Sequence, residues 1–213
     1  MKKFGIRIAV FLVGVLFLVL GVVICSKINL GMAPFDSLVY NASLAFGIKY
    51  GTINIFVGVV FVLIQLLILR KEFKLVSLIQ FVLLLYISVL IDFFMYQVFA
   101  FSFSESLSVR IPLFALGMCL ISAGIGMFMS AELYSFPLET LIAVLYERFK
   151  IKIAVSKWTI DGVSLLLSLV IAIMFKLPNY NIGLGTVVLF IGIGPMINIV
   201  YEKSKAMLAK VKE

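Results

Sequence analysis

Histidine is absent from this chain, and cysteine occurs only twice. Without imidazole, and with Cys25 and Cys119 far apart, a zinc or other transition-metal site has no ligand set. Both cysteines lie inside apolar runs, so a disulfide framework has no support and they read as packing residues. Charge is scarce as well: 13% of the 213 residues are Asp, Glu, Lys or Arg, 64% are hydrophobic, and the mean hydropathy is +1.24. A water-soluble domain of this composition would expose most of its apolar side chains. The chain therefore reads as an all-α polytopic membrane protein. No phosphate-binding glycine loop, nucleophile elbow or zinc-protease helix occurs. That excludes ATP-driven transport by this chain alone and leaves an enzyme activity or a cofactor without a motif.

The charge that is present is mostly basic, 18 Lys and Arg against 10 Asp and Glu, a formal net charge of +8. It gathers in short loops and at the ends, the distribution of cytoplasmic loops rather than of a nucleic-acid surface. The Met-Lys-Lys start resembles a signal peptide, but the apolar run behind it lasts a full bilayer crossing and lacks a small-residue cleavage pattern. It is expected to be a retained first helix.

Six runs are long enough to span: 6–25, 52–69, 75–99, 111–130, about 157–175 and 183–200. Two shorter helices are predicted at 34–46 and 137–149, each opened by a proline, with Gly47 as a C-cap of the first. At roughly 20 Å each, they are too short to cross. Their polar, interrupted approaches are 26–33 and 131–136.

The chain repeats itself. Adding 103 to Pro34 gives Pro137, and the same shift carries Asp36 to Glu139, Gly14 to Gly117, Gly21 to Gly124 and Arg7 to Arg110. Residues 1–103 and 104–213 are therefore expected to be two copies of one unit within one membrane domain. If neither short helix crosses, both termini and the basic stretches 70–74 and 148–157 all lie in the cytoplasm, with the acidic, Ser-rich 100–109 loop outside. Three spans per copy then make the copies inverted, a design common among transporters. The short helices are either re-entrant, since eight extended residues reach about 26 Å, or flat in the headgroup region.

Ionisable residues inside a membrane are costly and are functional candidates by default. Asp36 and Glu139 sit in the first turns of the short helices, where a carboxylate either faces a solute or caps free backbone N–H groups. Lys157 and Asp161 are one helical turn apart and can pair, either as a solute or proton contact or as a structural ion pair. Asn54 is the first-copy equivalent of Lys157. Asn41 on the polar face of the first short helix and Glu132 in the second interruption complete the candidate solute-binding set. Gly31, Pro34, Pro137, Arg7 and Arg110 are structural or gating candidates, the two arginines as snorkelling residues. Negative charge at this site argues against an anion and for a cationic, zwitterionic or neutral polar solute.

The arrangement Arg7, Gly14, Gly21, then Leu30-Gly31-Met-Ala-Pro34-Phe-Asp36-Ser-Leu38, with Gly47, Gly51 and Gly58 behind it, resembles the YczE/YyaS/YitT-like group of bacterial integral membrane proteins. Gly192-Ile-Gly194-Pro195-Met-Ile-Asn198 resembles the group's Gly-Pro-containing last helix. Phe35 stands where the group has Trp, and Asn198 where Asp is expected. The resemblance implies a multi-pass protein of a bacterial inner membrane with a role in transport. Three functions stay open on the sequence: a transporter or channel for a small polar solute bound between the two inverted halves, a solute-binding subunit working with transporter partner subunits, and a non-transporting regulatory protein. The lipid bilayer is the one partner common to all three, and homo-oligomers are compatible with each.

Overall fold

The computed structural model describes residues 2–73, 78–101, 103, 106–177 and 181–210. Among these residues the chain forms eight α-helices: α1 (Lys2–Ile28), α2 (Pro34–Phe46), α3 (Tyr50–Leu69), α4 (Ile79–Phe93), α5 (Leu107–Ser130), α6 (Pro137–Phe149), α7 (Ile153–Met174) and α8 (Leu184–Ala209). All but α2 and α6 are long and apolar enough to cross a bilayer. α4 ends in one wider π-turn, Phe94–Val98. The fold is all-α with the six spans and two short helices expected. Leu75 at the expected start of the third span, Glu105 of the Ser-rich loop and the 178–180 part of the turn before α8 lie outside the described residues.

Several boundaries differ from the sequence reading: α3, α5 and α7 start two to four residues early, and α1 and α8 run past their expected ends. α1 continues to Ile28 because Ser26 does not break it: its hydroxyl donates back to the Val23 carbonyl at 2.7 Å, a bond that helices accommodate. The interruption therefore starts at Asn29, whose φ of 52° is left-handed. α8 runs to Ala209, taking most of the Lys-rich tail into the helix.

The backbone itself recurs at a spacing of 103. α2 and α6 share both boundaries at that shift, and α3 and α7 share their first residue. Left-handed residues recur at it too: Asn29 (φ 52°) and Glu132 (φ 50°) end the interruptions' first turns, and Gly47 (φ 64°) and Lys150 (φ 57°) end the short helices.

The chain divides into two compact units. The first comprises Met1–Ala33, Phe93–Leu133 and Asn181–Glu213, and it is built on α1, α5 and α8. α1 and α5 run antiparallel, and their approach is set by glycine. A Cβ added at Gly14 would lie 2.8 Å from the Gly124 carbonyl oxygen, and one added at Gly21 would lie 2.7 Å from that of Gly117. Glycine is required where helix backbones come this close, and in lipid such packing replaces the hydrophobic drive that water supplies. Gly126 serves α8 in the same way, against Val200.

At one end of this unit Glu132 accepts from Lys205 at 3.0 Å and from Arg7 at 3.5 Å. The Lys205 hydrogen bond is the main cause that holds the Glu132 carboxyl below its ordinary value. Arg7, expected to snorkel, thus has a carboxylate partner. At the other end Asn181, buried and itself left-handed, secures the first interruption. Its amide donates to the Ser26 carbonyl at 2.8 Å, its side-chain oxygen accepts from the Gly31 N–H at 3.1 Å, and its own carbonyl accepts from the Met32 N–H at 3.0 Å. Gly185 N–H adds a bond to the Leu30 carbonyl at 3.0 Å. These bonds satisfy backbone that has left the helix, as a non-aqueous surrounding demands. Gly31, at φ 131° and packed against Thr186, has room for no side chain.

Candidate functional site

The second unit comprises Pro34–Asp92 and Tyr134–Tyr180 and holds both short helices. Each short helix lies on the long helix of the opposite sequence half, α2 on α7 and α6 on α3. α2 runs in the same direction as α7: Ser37 and Asn41 meet Ser168 at 3.0 and 2.9 Å, and further along the Phe46 ring meets Phe175 at 5.3 Å between centroids. α6 runs along α3 in the same sense, with the Pro137 carbonyl accepting from the Gln65 amide at 2.9 Å and Arg148 pairing with Glu72 at 3.5 Å. Gln65 and Ser168 are equivalent positions in the two halves, so the same point on each long helix ties down a short one.

α2 buries Val39 and Ala42 along with polar residues. Ser37 and Asn41 are fully buried while Leu44 and Phe46 are exposed. That orientation suits a helix whose surroundings are apolar, since polar groups then find partners only inside the protein.

Four of the candidate residues are brought together here. Asp36 is acted on by the charges of Asp161 and Lys157, and Glu139 by those of Lys157 and Asp36. Lys157 and Asp161 form the expected pair at 2.8 Å, with the Asp161 side chain buried and the Lys157 side chain half exposed. Asp36 accepts at 2.8 Å from the hydroxyl of Tyr50, the first residue of α3. Glu139 has one carboxylate oxygen, Oε2, that is buried and makes no hydrogen bond among the described residues. Asp36 thus has a side-chain partner from a neighbouring helix, which is more than N-terminal capping supplies.

The remaining candidates sit elsewhere. Asn41 is committed to Ser168, and Asn54 donates to Ser88 on α4 at 3.0 Å. Pro34 and Pro137 are the first residues of their helices. Glu132, Arg7 and Gly31 belong to the first unit, as does Arg110 in the first turn of α5. Sequence reasoning missed Tyr50, Ser168 and Asn181 as partners. Asp92 accepts from the Gly51 N–H at 2.7 Å, which is possible because an added Cβ at Gly51 would strike the Ser88 carbonyl and the Asp92 carboxylate. No group of His, Cys, Asp and Glu among the described residues is arranged to hold a metal ion.

Six apolar helices with a polar, charged interior in one unit define a multi-pass membrane protein. Residues 5–202 match the model of a family of unknown function, DUF6198, and the chain belongs to that family. It is 28% identical to the uncharacterized protein YyaS of Bacillus subtilis (strain 168) over 174 residues, 82% of each chain. It is 30% identical to the uncharacterized membrane protein YczE of the same organism over 148 residues, 69% of this chain and 66% of that one. No solved structure matches.

Proposed function

We propose that the protein carries a small polar solute, cationic, zwitterionic or neutral, across a bacterial inner membrane, with both termini cytoplasmic and the solute bound among α2, α6 and α7. The observation that carries this reading is the convergence of Asp36, Glu139, Asp161 and Lys157, three carboxylates and one ammonium contributed by both sequence halves. Such a cluster attracts positive charge and disfavours anions, and in a membrane it is expensive to keep without a use.

In this reading the sequence halves are inverted repeats and the short helices are re-entrant. Three observations support it. α1 and α5 pair antiparallel so that Gly14 meets Gly124 and Gly21 meets Gly117, each glycine facing the equivalent of the other, as a twofold axis between copies requires. Within the second unit the pairs α2 with α7 and α6 with α3 exchange partners between the halves in the same reciprocal way. α2 follows α7 inward from Phe175 to Ser168, where it is held through Ser37, about 10 Å of α7 below its outer end. The Arg148–Glu72 pair also joins the two basic loops, which favours one cytoplasmic face for both.

The test is ligand-dependent stabilisation of the purified protein, using tetramethylammonium, glycine, urea and acetate as probes of the four charge classes. Stabilisation by one of the first three and none by acetate is expected. Asp161→Asn and Asp36→Asn should each weaken binding of a charged probe by about 10- to 100-fold, the range of a lost charge-assisted hydrogen bond. Acetate as the preferred probe, or binding indifferent to both substitutions, would overturn the proposal.

A further inference from the structure

The cytoplasmic-loop residues of the second unit carry a feature that solute transport does not use. The Arg148–Glu72 pair draws the turn after α3 against the end of α6 and so gathers five exposed cations, Arg70, Lys71, Arg148, Lys150 and Lys152. Only Glu72 and Glu147 oppose them within these two segments. From residue 149 to 153 the chain reads Phe-Lys-Ile-Lys-Ile, all exposed, with Phe149 and Ile153 each 57% accessible between the lysines. Trp158, the one tryptophan, projects outward five residues into α7, about 7.5 Å from its start, the depth at which indoles sit in a bilayer interface.

Lys150 adds an observation of a different kind. It ends α6 in the left-handed conformation, φ 57°, its N–H bonded to the Tyr146 carbonyl. Glycine takes that conformation at lower cost, and the equivalent residue in the first half is Gly47 at φ 64°. A lysine thus stands where the backbone favours glycine. Its ammonium, 6.0 Å from the centre of the Tyr146 ring, has no carboxylate partner among the described residues.

We infer that this surface binds the phosphate headgroup of an anionic glycerophospholipid of the surrounding bilayer, with Lys150 and Lys152 on the phosphate, Arg148, Lys71 and Arg70 around it, and Phe149, Ile153 and Trp158 against the acyl chains. Cations alternating with apolar side chains at the headgroup level suit a lipid, whose charge and hydrocarbon are joined, better than a free anion.

The experiment uses the full chain in nanodiscs of phosphatidylcholine with increasing phosphatidylglycerol, read as melting temperature and as lipid retained in native mass spectrometry. Phosphatidylglycerol should raise both, and inorganic phosphate in pure phosphatidylcholine should raise neither. Lys150→Gly should melt no lower than the parent in pure phosphatidylcholine, yet retain phosphatidylglycerol about fivefold less, the share of one cation near an anionic surface. Lys152→Gln should lose a similar factor, while Lys203→Gln, an exposed lysine on α8, should lose none. The inference is overturned by equal effects of the two lipids, by a phosphate effect matching that of phosphatidylglycerol, by unchanged retention in Lys150→Gly, or by an equal loss in Lys203→Gln.

Discussion

Gly124→Leu is expected to prevent the first unit from assembling, with loss of folded protein in membranes and, where any is recovered, a large drop in melting temperature. A Cβ at position 124 would strike the Leu18 backbone N–H and come within 2.5 Å of the Gly14 carbonyl oxygen and 2.8 Å of the Leu18 Cα. All three are backbone atoms of α1, so no side chain can swing away and the helices must separate along their length. Overpacking of this kind costs about 1–3 kcal/mol when flexible neighbours can adjust, and more when they cannot. Gly124→Ala carries the same Cβ and should already cost about 3 kcal/mol or more. Gly5→Leu is the control, because nothing lies within 4 Å of its added Cβ, and it should leave stability unchanged.

Gln65→Leu is expected to destabilise the second unit by about 2 kcal/mol, measured by denaturant titration in detergent, because it strands buried polar groups rather than merely removing a bond. Gln65 and Gln80 exchange amide bonds at 3.3 and 3.1 Å, and Gln65 also donates to the Pro137 carbonyl at 2.9 Å. Both glutamines are nearly inaccessible, at 1% and 2%. Without Gln65, the Gln80 amide is left unpaired in an apolar surrounding. Gln65→Leu combined with Gln80→Leu should therefore cost less than the sum of the two single changes. A simple sum would mean that the two amides do not act as a pair.

How much of this could be read beforehand depended on which kind of signal each residue carries. The short helices were legible to the residue because both boundaries are local chemistry: a proline fits a first turn, and Gly47 ends α2 in a conformation few other residues take cheaply. The recurrence of α2 and α6 at a spacing of 103 was legible because Arg7, Gly14, Gly21 and Pro34 are rare enough in so apolar a chain for a shared spacing to mean something. The end of α1 was misread because Ser26 and Lys27 are polar, and polarity alone does not stop a helix whose serine can bond to its own backbone. Tyr50, Ser168 and Asn181 escaped notice for a different reason. Nothing local to a polar side chain in an apolar run says which distant group will answer it, and Asn181 answers an interruption 150 residues earlier. Which side chains of α2 turn inward was not legible either, because that depends on the helices it lies against.

The lipid surface inferred above and the solute cluster stand on separate residues, so either can fail alone. The inversion of the two halves underlies the account of the solute site and is testable without knowing any ligand. Ile48 and Ile151 are equivalent positions 103 residues apart, each just past the end of a short helix and 40% and 37% accessible. With Cys25 and Cys119 replaced by alanine, Ile48→Cys and Ile151→Cys should react with a membrane-impermeant thiol reagent from opposite sides of sealed vesicles, position 48 from outside the cell and position 151 from the cytoplasm. Reaction of both from the same side would contradict the inverted arrangement.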